Sequence, residues 1–491
     1  MLNKQHLTYL TVLIFLGSIS FGQKGTKNPY SVLGIGELQM DNYAAYAGLG
    51  NVSLGATDST IINYNNPASY SSLARYLPVM QVGFNGKFSN FSTETNTSNE
   101  QYFGLNQFQL GLPIANKWGA AIGLKPYSFR GYTVGNYTVV DSDTTAQSIN
   151  EGSGAISKVF LGIGYRPITS ISKDTVIRQR RDTTIIDTFV VSKAHRIALG
   201  ANFNYFFGTV KQSRSFENFP IGYSLSDPYN SRVENSLRMS DIGYEFGINY
   251  SFTKITPRIS EDQEGKSTTF AVGATYTPGL NIRGFQDLIS YSYQGSFYEG
   301  ALIQIKDTVQ SITNNVGTLY LPEEYKFGIE YRKNPTYGNE SQLRIGADVN
   351  YQAWSKYTET FETSGPFTQL NDRLFAGIGL EYTPDAIYGK EDDFLSRIRY
   401  RIGFNYTMLE YSILNNMDTY QQISNYGMSF GFGIPLTGSK GSNTNINLGF
   451  NLGSLGTQEN GLIREQYAGV FLGFSMTPGY DNAWFRKRLF N

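Results

Sequence analysis

Few residues in this chain could carry chemistry. Its 491 residues include two histidines, His6 and His195, and no cysteine. Without Cys there is no disulfide, no thiolate metal site and no cysteine nucleophile. His6 falls in a leader expected to be removed, so a mature subunit keeps only His195. One subunit then cannot assemble a histidine-based triad or a multi-histidine metal site, and the sequence offers His195 no evident nucleophile. The chain reads as a non-enzyme with no cofactor and no metal. Two constellations remain. Arg397, Arg399 and Arg401 form a basic stripe that Glu37, Asp41 and Asp58 could neutralise, or that could guide an anionic head group. Lys125-Pro126 interrupts an alternating run, and proline cannot donate to a strand ladder.

The elements that must position these residues are strands. Residues 242, 244, 246, 248 and 250 are Ile, Tyr, Phe, Ile and Tyr, interleaved with Asp241, Gly243, Glu245, Gly247 and Asn249. Ile398, Tyr400, Ile402, Phe404 and Tyr406 alternate in the same way with Arg397, Arg399, Arg401, Gly403 and Asn405. A period of two with one apolar and one polar face suits a wall between lipid and a polar lumen. Fourteen such runs are expected: 79–91, 102–112, 118–132, 155–165, 196–210, 237–252, 268–280, 324–331, 342–354, 373–383, 397–411, 423–434, 444–453 and 466–476. The apolar face carries almost no charge. The other face holds Glu245, Glu330, Arg344, Asp348, Glu381, Arg399 and Arg401. An Arg or Lys facing lipid at mid-membrane would cost about 2–4 kcal/mol. Tyr165, Tyr250, Tyr331 and Tyr382 close strands on the lipid side, where an interfacial aromatic girdle belongs.

Composition agrees. Lys+Arg and Asp+Glu number 40 each, so the formal net charge is zero and no chain-wide basic field is available for nucleic acid. Charged residues make up 16%, well below a soluble domain's usual quarter, while aromatics reach 15%, too many for a disordered chain. Residues 1–22 read as a signal peptide, with Lys4 before a short apolar run and small residues Ser20 and Gly22 at the cleavage site. No later run is long enough for a transmembrane helix, so a secreted chain of this pattern is expected to be a transmembrane β-barrel of the Gram-negative cell outer membrane. The longest connections, 133–154, 211–236 and 281–323, are expected outside the cell. Short ones such as 113–117, 332–341 and 435–443 face the periplasm, with 166–195 a long periplasmic exception.

Ahead of the first strand, residues 23–78 contain Asn28-Pro29-Tyr30-Ser31, Gly34-Ile35-Gly36-Glu37, Asp58-Ser59-Thr60 and Asn66-Pro67-Ala68. Downstream come Leu321-Pro322, Gly328, Asp348-Val349-Asn350-Tyr351 and Trp354-Ser355. This layout resembles the FadL family of outer-membrane channels for long-chain fatty acids. Identity of motif is confined to those two stretches, although the layout covers most of the mature chain. The resemblance implies a fourteen-stranded barrel over 79–476 closed by an N-terminal luminal hatch over 23–78. Its hatch residues would include Asn28, Pro29, Tyr30, Gly34, Gly36, Asn66, Pro67 and Ala68. It also implies a lateral gap at a kinked third strand, here Lys125 and Pro126. The alternative at that point is a strand that ends on reaching the outer surface.

Two features depart from a fatty acid channel. The 166–195 insert carries Asp174-Thr175-Val176-Ile177 and Asp182-Thr183-Thr184-Ile185-Ile186 around Arg178, Arg180 and Arg181, expected as a periplasmic hairpin. A basic, aromatic tail, 477–491, follows the last strand on the same side. Some FadL-like barrels, PorV among them, are accessory subunits of type 9 secretion. Two functions therefore stand: passive uptake of a hydrophobic or amphipathic small molecule, and a non-transporting subunit of a secretion or assembly complex. Expected partners are membrane lipid, such a small molecule, and other envelope proteins met through 166–195 and 477–491, with no nucleic acid.

Overall fold

The computed structural model describes residues 26–39, 42–141, 144–179, 186–220, 229–257, 265–295, 297, 303–336, 340–361, 370–387, 393–437 and 443–477. The leader, Asp41, Arg180, Arg181 and all but the first residue of the 477–491 tail lie outside them.

Fourteen antiparallel strands close into a transmembrane barrel. They are β1 (Val79–Ser92), β2 (Thr97–Ala115), β3 (Trp118–Phe129), β4 (Thr144–Gln179), β5 (Ile186–Pro220), β6 (Asn230–Thr256) and β7 (Lys266–Thr277). Then come β8 (Glu324–Asn334), β9 (Gln342–Gln352), β10 (Arg373–Thr383), β11 (Arg399–Leu414), β12 (Tyr420–Thr437), β13 (Asn443–Leu455) and β14 (Arg464–Thr477). Each pairs with the next, and β14 returns to β1 from Arg464↔Ser92 to Met476↔Met80, which removes the sheet edge. Alternation is the cause. On β6, Ile242, Tyr244, Phe246 and Ile248 are exposed on the outer face while Glu245 and Asn249 are buried within. The inward charges Glu245, Glu330, Arg344, Asp348, Glu381 and Arg401 are all buried.

Strands four to six are longer than their alternation indicates. The stretches expected as outer loops pair with one another: Tyr132–Asp141 with β4, Leu280–Gln294 with the outer part of β6, and Gln304–Leu321 with Leu280–Gln294. Above the lipid neither face of a strand needs an apolar row, so sequence alternation fades while hydrogen bonding continues. On the opposite side, 166–195 continues β4 and β5 as a two-stranded extension from Ile168↔Ile197 to Gln179↔Ile186. Its β5 arm is also paired to β6 as far as Ser192↔Ile255. The outer edge of β4 beyond Tyr165 meets no further strand among the described residues, because β3 starts at Trp118 opposite Tyr165.

Candidate functional site

Residues 26–78 lie against the inner wall, and most of their side chains are buried. The segment holds little regular structure beyond two 3-10 turns, Pro29–Val32 and Pro67–Ser72, and one helical turn, Ala44–Ala47. Asn28 and Asn66 cap the two 3-10 turns, accepting from Tyr30 N and Ala68 N, and Pro29 and Pro67 supply the fixed φ that starts each. Asn66 also donates to Leu54 O (2.9 Å) and to Ile248 O on the wall (3.1 Å). Tyr30 donates to Ile463 O at 2.6 Å. Gly34 and Gly36 have φ of +52° and +97°, and a side chain on Gly36 would strike Phe129 O, 2.4 Å from its Cβ.

What seats this segment is a track of glycines. Nine consecutive strands, β3 to β11, each turn at least one glycine toward it, among them Gly119, Gly164, Gly200, Gly247, Gly273, Gly328, Gly346, Gly379 and Gly403. The first four are direct cross-strand partners, and so are Gly346, Gly379 and Gly403. A Cβ added at Gly119 would lie 1.9 Å from Tyr70 O, at Gly200 2.3 Å from Pro67 C, and at Gly273 1.9 Å from Leu54 O. At Gly403 it would lie 2.0 Å from Gly50 N. Segment backbone thus rests on wall backbone, closer than any side chain permits.

Polar locks hold it there. Asp348 Oδ2 on β9 accepts from Ser53 N (2.6 Å) and Leu54 N (2.9 Å), and Ser429 Oγ on β12 accepts from Gly50 N (2.9 Å). Tyr64 and Tyr70 donate to Asn204 and Asn202 on β5, each at 3.0 Å. Asp58 reaches Arg344 at 3.1 Å and Arg332 at 3.8 Å, and accepts from Tyr46 at 2.9 Å. Burial works to raise the Asp58 pKa, but Arg344 and Arg332, with Arg399 beyond them, outweigh it and hold the carboxyl well below its usual range.

The arginine stripe expected to pair with the segment is therefore used differently. Arg401 spends its charge on Glu381, its direct cross-strand neighbour, at 2.6 Å, and on Asn447. Arg397 lies not in a strand but in the 3-10 turn Leu395–Arg397 that precedes β11. Asp58 instead sits over β8 and β9, where Arg332 faces Arg344 across the ladder. Glu37 goes to Lys87 at 3.8 Å. Of the stripe, Arg399 adds its charge to those acting on Asp58.

At Lys125-Pro126 the strand does not end. β3 runs through to Phe129 and stays paired to β4, with Lys125↔Lys158, Pro126↔Ser157 and a bulge before Ser128↔Ile156. The other edge is what opens: the β2–β3 ladder stops at Phe108↔Leu124. Beyond it β3 takes Glu37–Leu38 of the inner segment as its partner. A seam is thus left in the wall between β2 and β3. His195 is on the outer face, its Nδ1 2.9 Å from the Tyr250 hydroxyl, far from any lumen group.

Among the described residues, small cavities of mixed polarity remain between segment and wall. One of about 100 Å³ is lined by Glu37, Lys87, Arg373 and Asn405. One of about 70 Å³ is lined by Tyr64, Lys125, Lys158 and Asp348, and one of about 50 Å³ by Tyr127, Lys158, Glu245 and Lys326. The wall's own ion pairs, Lys326–Glu245 at 3.2 Å and Arg373–Glu410 at 2.8 Å, border them. Sequence reading missed the glycine track and the pinning role of Asp348. The available signal was an inward glycine recurring once in each strand, as in Gly247 and Gly403.

Among solved structures, the chain is similar to a Pseudomonas aeruginosa FadL homologue, at 11% identity and a TM-score of 0.48 over 90% of this chain and 99% of that one. It is also similar to the Ralstonia pickettii toluene transporter TbuX, at 12% identity and a TM-score of 0.46 over 89% and 98%. At these values they add nothing to the architecture described above. No curated protein sequence matches. The family model described as BamG matches residues 1–174 and 188–491, nearly the whole length, and the chain belongs to the BamG family.

Proposed function

We propose that this protein is a non-transporting barrel subunit of an outer-membrane secretion or assembly complex, working through surfaces outside the lipid rather than through its lumen. The observation that carries the reading is the seating of residues 26–78 on nine wall glycines. A segment pressed that closely on nine strands, with its backbone against six of the glycines, cannot slide without parting from all of them. The cavities described beside it hold only about 50–100 Å³ each, less than a site for a hydrocarbon chain needs. Meanwhile strand pairing extends beyond the membrane on both sides. The free edge of β4 beyond Tyr165, with Ile168 and Ile171 exposed, offers unpaired backbone groups to an extended segment of a partner.

One observation favours uptake of a small apolar molecule instead, namely the seam above Phe108↔Leu124. In that reading the molecule leaves sideways past Lys125 and Pro126. A single experiment separates the two. Residues 172–193 are replaced by an Asn-Gly turn, which preserves the pairing of β4 and β5 up to Ile171↔Ala194. The barrel is then extracted from native membranes and its companions are weighed. Stoichiometric envelope proteins lost with the hairpin support the subunit. A barrel that runs alone with or without the hairpin, and that passes an apolar solute in liposomes, refutes it.

A further inference from the structure

Where β6 pairs with the Leu280–Gln294 strand, Arg238 of β6 and Arg283 of its neighbour both approach the ring of Phe285, the cross-strand partner of Arg238. Their guanidinium carbons lie 5.1 and 5.2 Å from its ring centre. Both side chains are exposed, and among the described residues neither has a carboxylate within ion-pairing distance. The nearby acids keep their charge but turn their oxygens to backbone donors. Asp241 accepts from the backbone of Ile242 and Arg283, and Asp287 from that of Asn314. The one side-chain hydrogen bond described for the pair is neutral, from Arg238 to Asn314 at 2.9 Å. Two exposed cations beside one ring, neither of them ion-paired among the described residues, can receive an anion with several acceptor oxygens.

Beneath Arg238, β6 turns apolar. Ile242 and Tyr244 lead down to Phe246, where the outer wall is indented into an apolar groove of about 620 Å³. Phe246, Ile248, Tyr276, Tyr325 and Phe327 line it, and Ala274 forms its floor between the larger outward residues of β7. Arg283 is level with Ser240, one rung from the Met239↔Gly284 pair. Six residues separate that level from Phe246, about 20 Å at roughly 3.3 Å per residue. That is the reach of one acyl chain.

We propose that this stripe is a binding site for a phosphorylated membrane lipid. Its phosphate bridges Arg238 and Arg283, and one acyl chain passes over Ile242 and Tyr244 into the groove floored by Ala274. The charge of the pair and the depth of the groove recognise the two ends of one amphiphile, and neither alone would hold it.

The test compares the full-length protein with R238Q/R283Q and with A274F, a lipid-facing change that fills the groove. Each is purified in mild detergent, shown to be folded by its heat-modifiable mobility, and stripped of lipid. A bis-phosphorylated glycolipid is then titrated in by native mass spectrometry, beside the same glycolipid without phosphates. The expected result is occupancy of the native protein by the phosphorylated form, at least tenfold weaker in both variants and weakened by raised salt. Equal binding of both lipids, or undiminished binding in R238Q/R283Q, overturns the proposal. Loss in the arginine variant with none in A274F removes the groove from the site and overturns the two-ended recognition. If R238Q/R283Q leaves lipid untouched but sheds a protein from the native extract, the stripe is a protein contact.

Discussion

Replacing Asp58 with Ala should loosen the inner segment without unfolding the wall. The Asp58 side chain retains 17% of its accessible surface, and Arg344 retains 7%. Without Asp58, Arg344 and Arg332 are left to share Glu330, which already bonds them at 2.6 and 2.5 Å. Removing one member of a buried ion network costs about 3–5 kcal/mol. Water in the lumen screens part of that here, so about 2–4 kcal/mol is expected for the segment's hold. At 1.36 kcal/mol per decade, the population of the detached state should rise by about 30-fold or more. The chain has no cysteine, so a single Ser69→Cys in the buried 3-10 turn gives a unique probe. Its rate of thiol labelling tracks detachment when opening and closing are fast. Asp58→Ala should accelerate labelling by that factor, and adding Arg344→Ala should cost less than the sum of the two single changes. An unchanged labelling rate would mean that the ion pair does not hold the segment, and the backbone seating alone would have to explain its position.

Gly403→Ala should destabilise the protein by about 1–3 kcal/mol or more, since its Cβ would lie 2.0 Å from Gly50 N. Gly135→Ala, whose Cβ would meet Gln147 Nε2 at 3.8 Å, should stay within about 0.5 kcal/mol in the same thermal melts. Because the Asp58 pKa is depressed in the fold, its contribution is complete above the unfolded value of about 3.9 and fades only as pH falls through the lower folded value. Labelling of Ser69→Cys, divided by that of a free thiol at the same pH to remove the change in thiolate fraction, should therefore be flat from neutral pH to about pH 5 and rise only in stronger acid; a rise near pH 6 would assign the lock to another group. Pro126→Ala should leave envelope partners bound, and if it slows uptake of an apolar solute the seam is a passage after all.

The wall was legible because lipid imposes a rule on every second residue. All fourteen runs found from alternation are strands, and the inward charges from Glu245 to Arg401 are buried. Outside the lipid that rule lapses, which is why Thr144–Gly154 and Lys211–Pro220 were read as loops although they are paired strand. Pairing inside the lumen was less readable. Arg401 finds Glu381 because the two are register partners, and register across separate strands is not written in either one. Asp58 was identified as a counter-charge, but its partners proved to be Arg344 and Arg332, on strands far along the chain. The glycine track was hidden because an inward glycine looks the same whether it faces water or another backbone.

The glycine track also bears on the order in which the molecule can be built. A strand glycine contributes no side-chain packing and loses more backbone freedom than other residues. Nine strands carrying that penalty at the same depth would make a weak wall around an empty interior. The compensation comes from a segment that is synthesised first and must already be in place when β14 meets β1. The interior is then less a stopper added to a finished tube than a mandrel on which the tube is wound. A chain lacking residues 26–78 should yield no open pore; it should fail at closure, with unpaired edges exposed to aggregation.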